Sequence, residues 1–228
     1  MDIVAQKGIR LPLLEEEDGR KERRDAVKNR AHILATAKRL FAERGVAQVN
    51  MADIATAAGV GKGTLYRNFV NKGALCLALL DAQMTEFQNE RLAEMQRMSA
   101  QNAPAMAQLD VFLDALVYFT DAHLPLLCEA QRAGLVPDRG SDDLQMPHFW
   151  QHMTVSGLLK TAVAEGDLPP SLDIPYMADA LLAPLKADLF RFQREVRQFS
   201  LERISAGLRL LAAGLRQGNQ IKREDSIL

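Results

Sequence analysis

The residues best suited to chemistry in this chain stand close together. Lys62, Gly63, Thr64, Tyr66 and Arg67 all fall within "GKGTLYRNF", Gly61 to Phe69. Two cations, two hydroxyls and a gap suit a partner that bears phosphates. Cations meet phosphate or guanine, hydroxyls meet phosphate, and a glycine allows close approach. The Gly-Lys pair also invites comparison with the G-x-x-x-x-G-K-[ST] loop that cradles nucleotide phosphates. That motif fails at both ends. Thr56 stands where its first glycine must be, and Gly63 stands where its hydroxyl must hold magnesium. The loop should also follow a buried strand, whereas "NMADIATAA" has the spacing of a helix.

Other candidate chemistry is sparse. Ser156 and His152 are four apart, but a nucleophile needs both a base and an orienting acid. No G-x-S-x-G elbow or strand-turn-helix supports the pair. His148 and His152 have the i, i+4 spacing that can hold a metal, yet spacing supplies no third ligand. Cys76 and Cys128 match no zinc or redox pattern and read as inert thiols suited to a reducing cytosol. No catalytic set, cofactor or metal is expected. A helical hydrolase or other enzyme without DNA binding is the alternative reading.

The elements that must position the first cluster can be read locally. Asn50 can cap a short helix, and Asp53 favours its positive end. Ile54 and Ala55 face inward, Gly59 supplies the positive φ that ends the helix, and Val60 plugs the turn. A second helix then runs from Gly61 to Phe69. Leu65 and Phe69 are four apart and share its inner face. The charge balance singles out the same region. Lys21 to Leu75 holds 11 Lys/Arg against 4 Asp/Glu, or +7, and the rest of the chain holds 17 against 25, or −8. A basic module on an acidic body points to a polyanion partner for one part only.

The remaining chain reads as helices. One covers Arg24 to Arg44, with Ile33, Leu34, Ala37, Leu40 and Phe41 at helical spacing and Gly45 as its stop. Lys72 begins a long helix to about Met98. Two helices follow, Met106 to Ala122 and Pro125 to Arg132. "AGLVPDRGSDD" reads as a loop, and another helix covers Leu144 to Glu165. The last two span Tyr176 to Glu195, kinked at Pro184, and Leu201 to Gln217. No segment shows strand alternation, so the fold class is all-α. No apolar run reaches 18 residues, so no membrane span is expected. The N-terminus lacks a long apolar region and carries acids, so a secretory signal is not expected and a cytoplasmic location is.

In the last helix Leu201, Ile204, Leu208, Leu211 and Leu215 are spaced like a coiled-coil seam. With Leu181 and Leu185 of the preceding helix they are expected to form a homodimer interface. An ordinary internal core is the alternative for the same residues.

"ILATAKRLFAERGVAQVNMADIATAAGVGKGTLYRNFVNKGALCLALL", Ile33 to Leu80, resembles the DNA-binding domain of the tetracycline-repressor (TetR) family. "LFAERG", "MADIATAAGV" and "GKGTLYRNF" followed by Lys72 carry the resemblance, in the right order. Gly61 departs from the Ser or Thr that often caps the recognition helix. Val70 and Gly73 stand where the family often has Pro and Glu. The resemblance implies a three-helix DNA-binding domain over 21–75, with its helix-turn-helix at about 50–69. An effector-binding and dimerisation domain over 76–217 follows. Residues 1–20 and 218–228 are expected as tails. The implied function is a ligand-responsive regulator, usually a repressor, that binds a palindromic double-stranded DNA operator as a homodimer and is released by an effector.

The implied DNA contacts are Asn50, Lys62, Gly63, Thr64, Tyr66, Arg67, Asn68 and Lys72. Thr64 and Arg67 are candidates for base edges, and Tyr66, Asn68 and Lys72 for phosphates. Lys21, Arg23, Arg24, Lys28 and Arg30 form either an arm that enters the minor groove or a solvated helix start. The effector pocket is expected among Phe112, Tyr118, Phe119, His123, Cys128, Phe149, Trp150, Met153 and Tyr176, for most of which core packing is the competing role. Trp150 and Tyr118 need polar partners when buried and are the stronger candidates. With no cluster of cations in that set, the expected effector is a small apolar or aromatic molecule.

Overall fold

The structure, a computed structural model, describes residues 13–134 and 147–216, with side chains over 24–134 and 149–216. Those residues are all-helical. They divide into two compact units, Met1–Asn71 and Lys72–Leu228. The expected division at 75/76 therefore falls inside the first turn of a helix. The expected C-terminal tail at 218–228 and the loop from Leu135 lie outside the described residues.

The first unit contains α1 (Leu13–Arg44), a 3-10 turn (Val46–Gln48), α2 (Met51–Ala57) and α3 (Lys62–Asn68). Helix α1 begins at Leu13, well ahead of the expected Arg24, so 13–20 is not a structureless tail. "LLEEEDGRKERR" is rich in good helix formers and lacks proline after Pro12, which lets the helix grow backward from its packed portion. Ile33, Ala37, Leu40 and Phe41 of α1 are buried, as are Val49, Ile54, Leu65 and Phe69, and α1 packs on α2. Gly45, at φ 81°, takes the left-handed conformation that stops α1.

The second unit contains α4 (Lys72–Ala100), α5 (Ala105–Arg132), α6 (Pro147–Ala164), α7 (Ile174–Leu182), α8 (Ala187–Arg191) and α9 (Leu201–Gly214). Helix α5 is the spine and touches α4, α6, α8 and α9. It is a single helix, not the expected pair split before Pro125. Pro125 removes one backbone donor, but the apolar face continues past it through Leu127 and Cys128, which pack on the core. By length and composition α5 could also cross a membrane. Its buried face, packed on neighbouring helices, and its Asp110, Asp114, Asp121 and Glu129 mark it as a core helix instead.

Side chains from afar secure the helix ends. Glu165 accepts the orphan N–H of Ala105 at 2.9 Å, which caps α5 from the end of α6. Arg194 donates to Asp121 at 2.8 Å and to the carbonyl of Phe199 at 2.6 Å, which pins the approach to α9 onto α5. Ser205, buried in α9, donates to Asp114 of α5. Pro184 does more than kink the expected helix from Tyr176 to Glu195. The chain tightens into a 3-10 turn at Ala183–Leu185, and Lys186 is extended before α8 begins. A π turn, Phe192–Val196, then ends α8.

Candidate nucleic-acid interface and effector site

The α2–turn–α3 segment follows from its local chemistry. Asn50 and Asp53 form a reciprocal capping box: Asn50 Oδ1 accepts from Asp53 N–H at 3.0 Å, and Asp53 Oδ2 accepts from Asn50 N–H at 2.9 Å. Gly59 has φ 64°, and Val60 N–H returns to the carbonyl of Ala55 at 3.0 Å. Gly61 opens α3 without any side-chain cap. Leu65 and Phe69 are then buried, while Lys62, Gly63, Tyr66 and Arg67 are exposed and Thr64 and Asn68 are half-buried.

The exposed face of α3 presents two cations and a phenol without an acidic neighbour on the helix. A Cβ added at Gly63 would meet nothing within 4 Å. Packing around α3 therefore leaves room for a side chain at this position. Asn68 Nδ2 donates to the carbonyl of Thr64 at 2.8 Å, so part of its amide secures α3 itself.

Two basic residues have other employment. Arg30 donates to the carbonyl of Asn68 at 2.9 Å and lies 4.3 Å over the Phe69 ring. It locks the end of α3 from α1. Residues 21–30 lie within α1. Lys72 opens α4 as expected, but its Nζ lies 3.7 Å from Glu129 and its side chain is only 15% exposed. Glu129 also meets Arg132 at 3.3 Å. A phosphate contact by Lys72 must compete with that carboxylate.

In the second unit the expected aromatic set separates. Phe112, Phe119, His123 and Trp150 come together. Trp150 meets the Phe112 ring edge-on at 5.5 Å, and Phe119 meets His123 at 4.4 Å. Burial holds the His123 imidazole below its ordinary pKa, so the neutral form is favoured there. Cys128 donates to the carbonyl of Ala187 at 3.7 Å, and burial pushes its thiol up, as it pushes that of Cys76 up to about 12. Tyr118, Phe149, Met153 and Tyr176 stay exposed instead of joining the cluster. For Tyr118 the cause is helical phase: Val111, Tyr118 and Ala122 share the outer face of α5.

Sequence reasoning missed the residues of α4 that complete this cluster. Phe87 packs 4.4 Å from Phe119 and 6.1 Å from Trp150. Gln83, Phe87 and Arg91 recur every four residues along α4, and that spacing was the available signal. The weighed Ser156–His152 pair is not assembled. Ser156 Oγ is buried without a hydrogen-bond partner, while His152 Nε2 lies 3.4 Å from the Pro175 carbonyl and 3.6 Å from Asp179. The side chain of His148 is outside the described residues. No metal-binding group of three or more residues occurs among the described residues.

The expected seam in α9 is largely internal. Ile204 and Leu208 are buried, Leu201 and Leu215 are packed against the same core, and Leu181 and Leu185 of the preceding segment are buried too. A 3-4 leucine spacing marks one buried face without saying what covers it, and here α5 and α7 cover it. Leu211 lies beside that stripe and is 58% exposed, next to Leu210 at 74%. Leu189, Phe192 and Val196 are exposed around α8.

Residues 33–79 match the sequence profile described as bacterial regulatory proteins, tetR family. The probable HTH-type transcriptional regulator ArpR of Pseudomonas putida is 31% identical over 183 residues, covering 72% of this chain and 80% of that protein. The HTH-type transcriptional repressor ComR of Escherichia coli is 30% identical over 162 residues, covering 69% and 76%. Among solved structures, a TetR-family transcriptional regulator from Pectobacterium atrosepticum aligns with TM-score 0.62 and 23% identity, over 85% of this chain and 96% of that one. Thermus thermophilus FadR, solved with lauroyl-CoA, aligns with TM-score 0.61 and 23% identity, over 80% and 92%.

Proposed function

This chain belongs to the TetR family of bacterial regulatory proteins, and we propose from that premise that it is a dimeric repressor whose operator binding is released by a small molecule. The observation that carries the reading is the polar face of α3. Lys62, Gly63, Tyr66 and Arg67 stand exposed over buried Leu65 and Phe69. That is the arrangement a helix needs to enter the major groove. Arg67 and Thr64 read base edges. Lys62, Tyr66, Asn50 and Asn68 hold the phosphate backbone, and Lys72 contributes only by leaving Glu129.

Two copies place two such helices on successive major grooves, about 34–36 Å or a multiple apart. The exposed apolar residues Leu189, Phe192, Leu210 and Leu211 are the surface for that pairing, in place of the seam expected from spacing. The effector enters the second unit near Phe87, Phe112, Phe119 and Trp150. A fold neighbour was solved with a bound acyl-CoA, so a body of this shape can hold a small molecule. Effector and DNA must then weaken each other by the same factor.

The test is selection of bound fragments from the host genome, followed by fluorescence anisotropy on the recovered sites. The expected outcome is a palindromic site bound far more tightly than random DNA. Equal binding to both would sink the regulator reading.

A further inference from the structure

We propose that the effector is an aromatic carboxylate, gripped by Arg91 with its ring lying against Phe87 and Trp150. The inference rests on the reading of the second unit as an effector body and adds the effector's chemistry.

Gln83, Phe87 and Arg91 form one stripe of α4, since residues four apart stack on one helix face. Phe87 fixes where that stripe points. Its ring is buried against Phe119 of α5 and Trp150 of α6. Arg91 stands one turn further, with its guanidinium 5.6 Å from the Phe87 ring and its side chain 23% exposed. An arginine so placed gives the aromatic cluster a cation that the pocket set read from sequence lacked.

Two polar atoms on this stripe are unmet. Arg91 Nε is buried with no hydrogen-bond partner, and so is Gln83 Oε1. Buried groups of this kind are nearly always satisfied, so each unmet one calls for an explanation. Glu90 Oε2 lies 3.6 Å from Arg91 Nη2, the nitrogen on the same edge as Nε–H, and is itself mostly exposed. No acceptor reaches Nε–H itself, and a ligand carboxylate takes this edge by displacing the exposed Glu90. An arginine offers Nε–H and a neighbouring Nη–H as a planar fork that fits a carboxylate with two parallel bonds.

The other end of the stripe asks for a donor. Gln83 Oε1 can accept a hydroxyl from the ligand. Eight residues of helix separate the two anchors by about 12 Å along the axis. Between them on α4 lies Phe87, which meets Trp150 edge-on, and such aromatic surface favours a ring stacked or met edge-on. A flat aromatic acid, better with a hydroxyl at its far end, satisfies all three features. A neutral apolar molecule satisfies only the middle one.

Calorimetry on the full-length protein without DNA tests this, with para-hydroxycinnamate, its neutral amide and octanoate as probes. The carboxylate is expected to bind about tenfold or more tightly than the amide. Arg91→Met keeps the stem and removes the fork, so it should erase that preference while leaving amide binding within about twofold. Octanoate should bind more weakly than para-hydroxycinnamate. If Arg91→Met does not fold by circular dichroism, Gln83→Leu replaces it and should erase the preference for para-hydroxycinnamate over cinnamate. Equal binding of acid and amide overturns the proposal, as does a preference that survives Arg91→Met. Octanoate matching the aromatic acid, or no binding of any probe, also overturns it. A carboxylate that binds but never releases DNA would instead count against the regulator reading alone.

Discussion

The two units handle polar groups in opposite ways. The first turns its chemistry outward: α3 shows Lys62, Tyr66 and Arg67 to solvent above an apolar floor of Leu65 and Phe69. The second turns some of it inward, leaving Gln83 Oε1, Arg91 Nε and Ser156 Oγ buried and unmet. A surface that reads a large external partner can satisfy its groups with water until the partner arrives. Buried groups left unmet are costly, because no water replaces the missing partner.

The largest test of this contrast lies in α9, where one helix carries both an inward and an outward face. Leu208 is 2% exposed, so Leu208→Glu buries an unpaired charge in the second unit. A loss of about 3–5 kcal/mol or more is expected, a large share of the stability of a typical domain. Leu210→Glu with Leu211→Glu sits on the exposed face and should leave helicity intact by circular dichroism. Sedimentation should then report monomer. A folded double mutant that stays dimeric would move the interface off α9, and a Leu208→Glu protein with an unchanged urea midpoint would contradict the packing of this helix.

Next in size is the reading face. Arg67→Ala should cost about 1–3 kcal/mol in operator binding and relax preference at one base position. Lys62→Ala should weaken operator and random DNA alike and reduce the salt slope by about one unit. Lys72→Ala should change that slope less than Lys62→Ala, because Glu129 already holds the lysine at 3.7 Å. Anisotropy across a salt series separates the three. A Lys72→Ala slope change as large as that of Lys62→Ala would mean the ion pair opens on DNA.

The geometry of α2, the turn and α3 was legible in the sequence because its determinants are near neighbours. Asn50 and Asp53 are three apart, Leu65 and Phe69 four apart, and Gly59 declares its φ by being glycine. The second unit was legible as helices and illegible as a site. Phe87 meets Phe119 and Trp150 from distant parts of the chain, and only tertiary packing brings them together. The leucine spacing of α9 marked a buried face, and within the chain α5 and α7 pack on it; periodicity carries no information about which partner covers such a face. Pro125 misled in a similar way. A local rule predicted a helix end, and packing along α5 overrode it.

A smaller effect tests the interior through pH. Burial lowers the His123 pKa below its ordinary 6.5, so the unfolded chain takes up a proton where the folded one does not. This contribution is fully present above 6.5. It is lost as the pH falls from there through the lowered folded value. Urea midpoints should therefore drop on acidification, and His123→Gln should flatten that part of the profile. An unchanged profile in the mutant would show that His123 titrates freely and is not held neutral beside Phe119.

The smallest change expected is at Gly61, where the outward-facing unit lacks a feature that its own sequence could supply. Gly61 sits at the start of α3 with φ −65° and ψ 148°, an extended conformation open to any residue, and makes no side-chain cap. A Cβ there would meet nothing within 4 Å. Gly61→Ser should add a hydroxyl that accepts one of the first free N–H groups of α3. The gain over glycine at such a position is a few tenths of a kcal/mol, about a quarter of a full cap. Amide hydrogen exchange along Lys62–Asn68 should slow slightly, and operator affinity should rise by no more than about twofold, as expected for a pre-ordered reading helix. Slower exchange with weaker operator binding would show that α3 must adjust its start on DNA. The bare glycine would then serve the contact and not merely leave it uncapped.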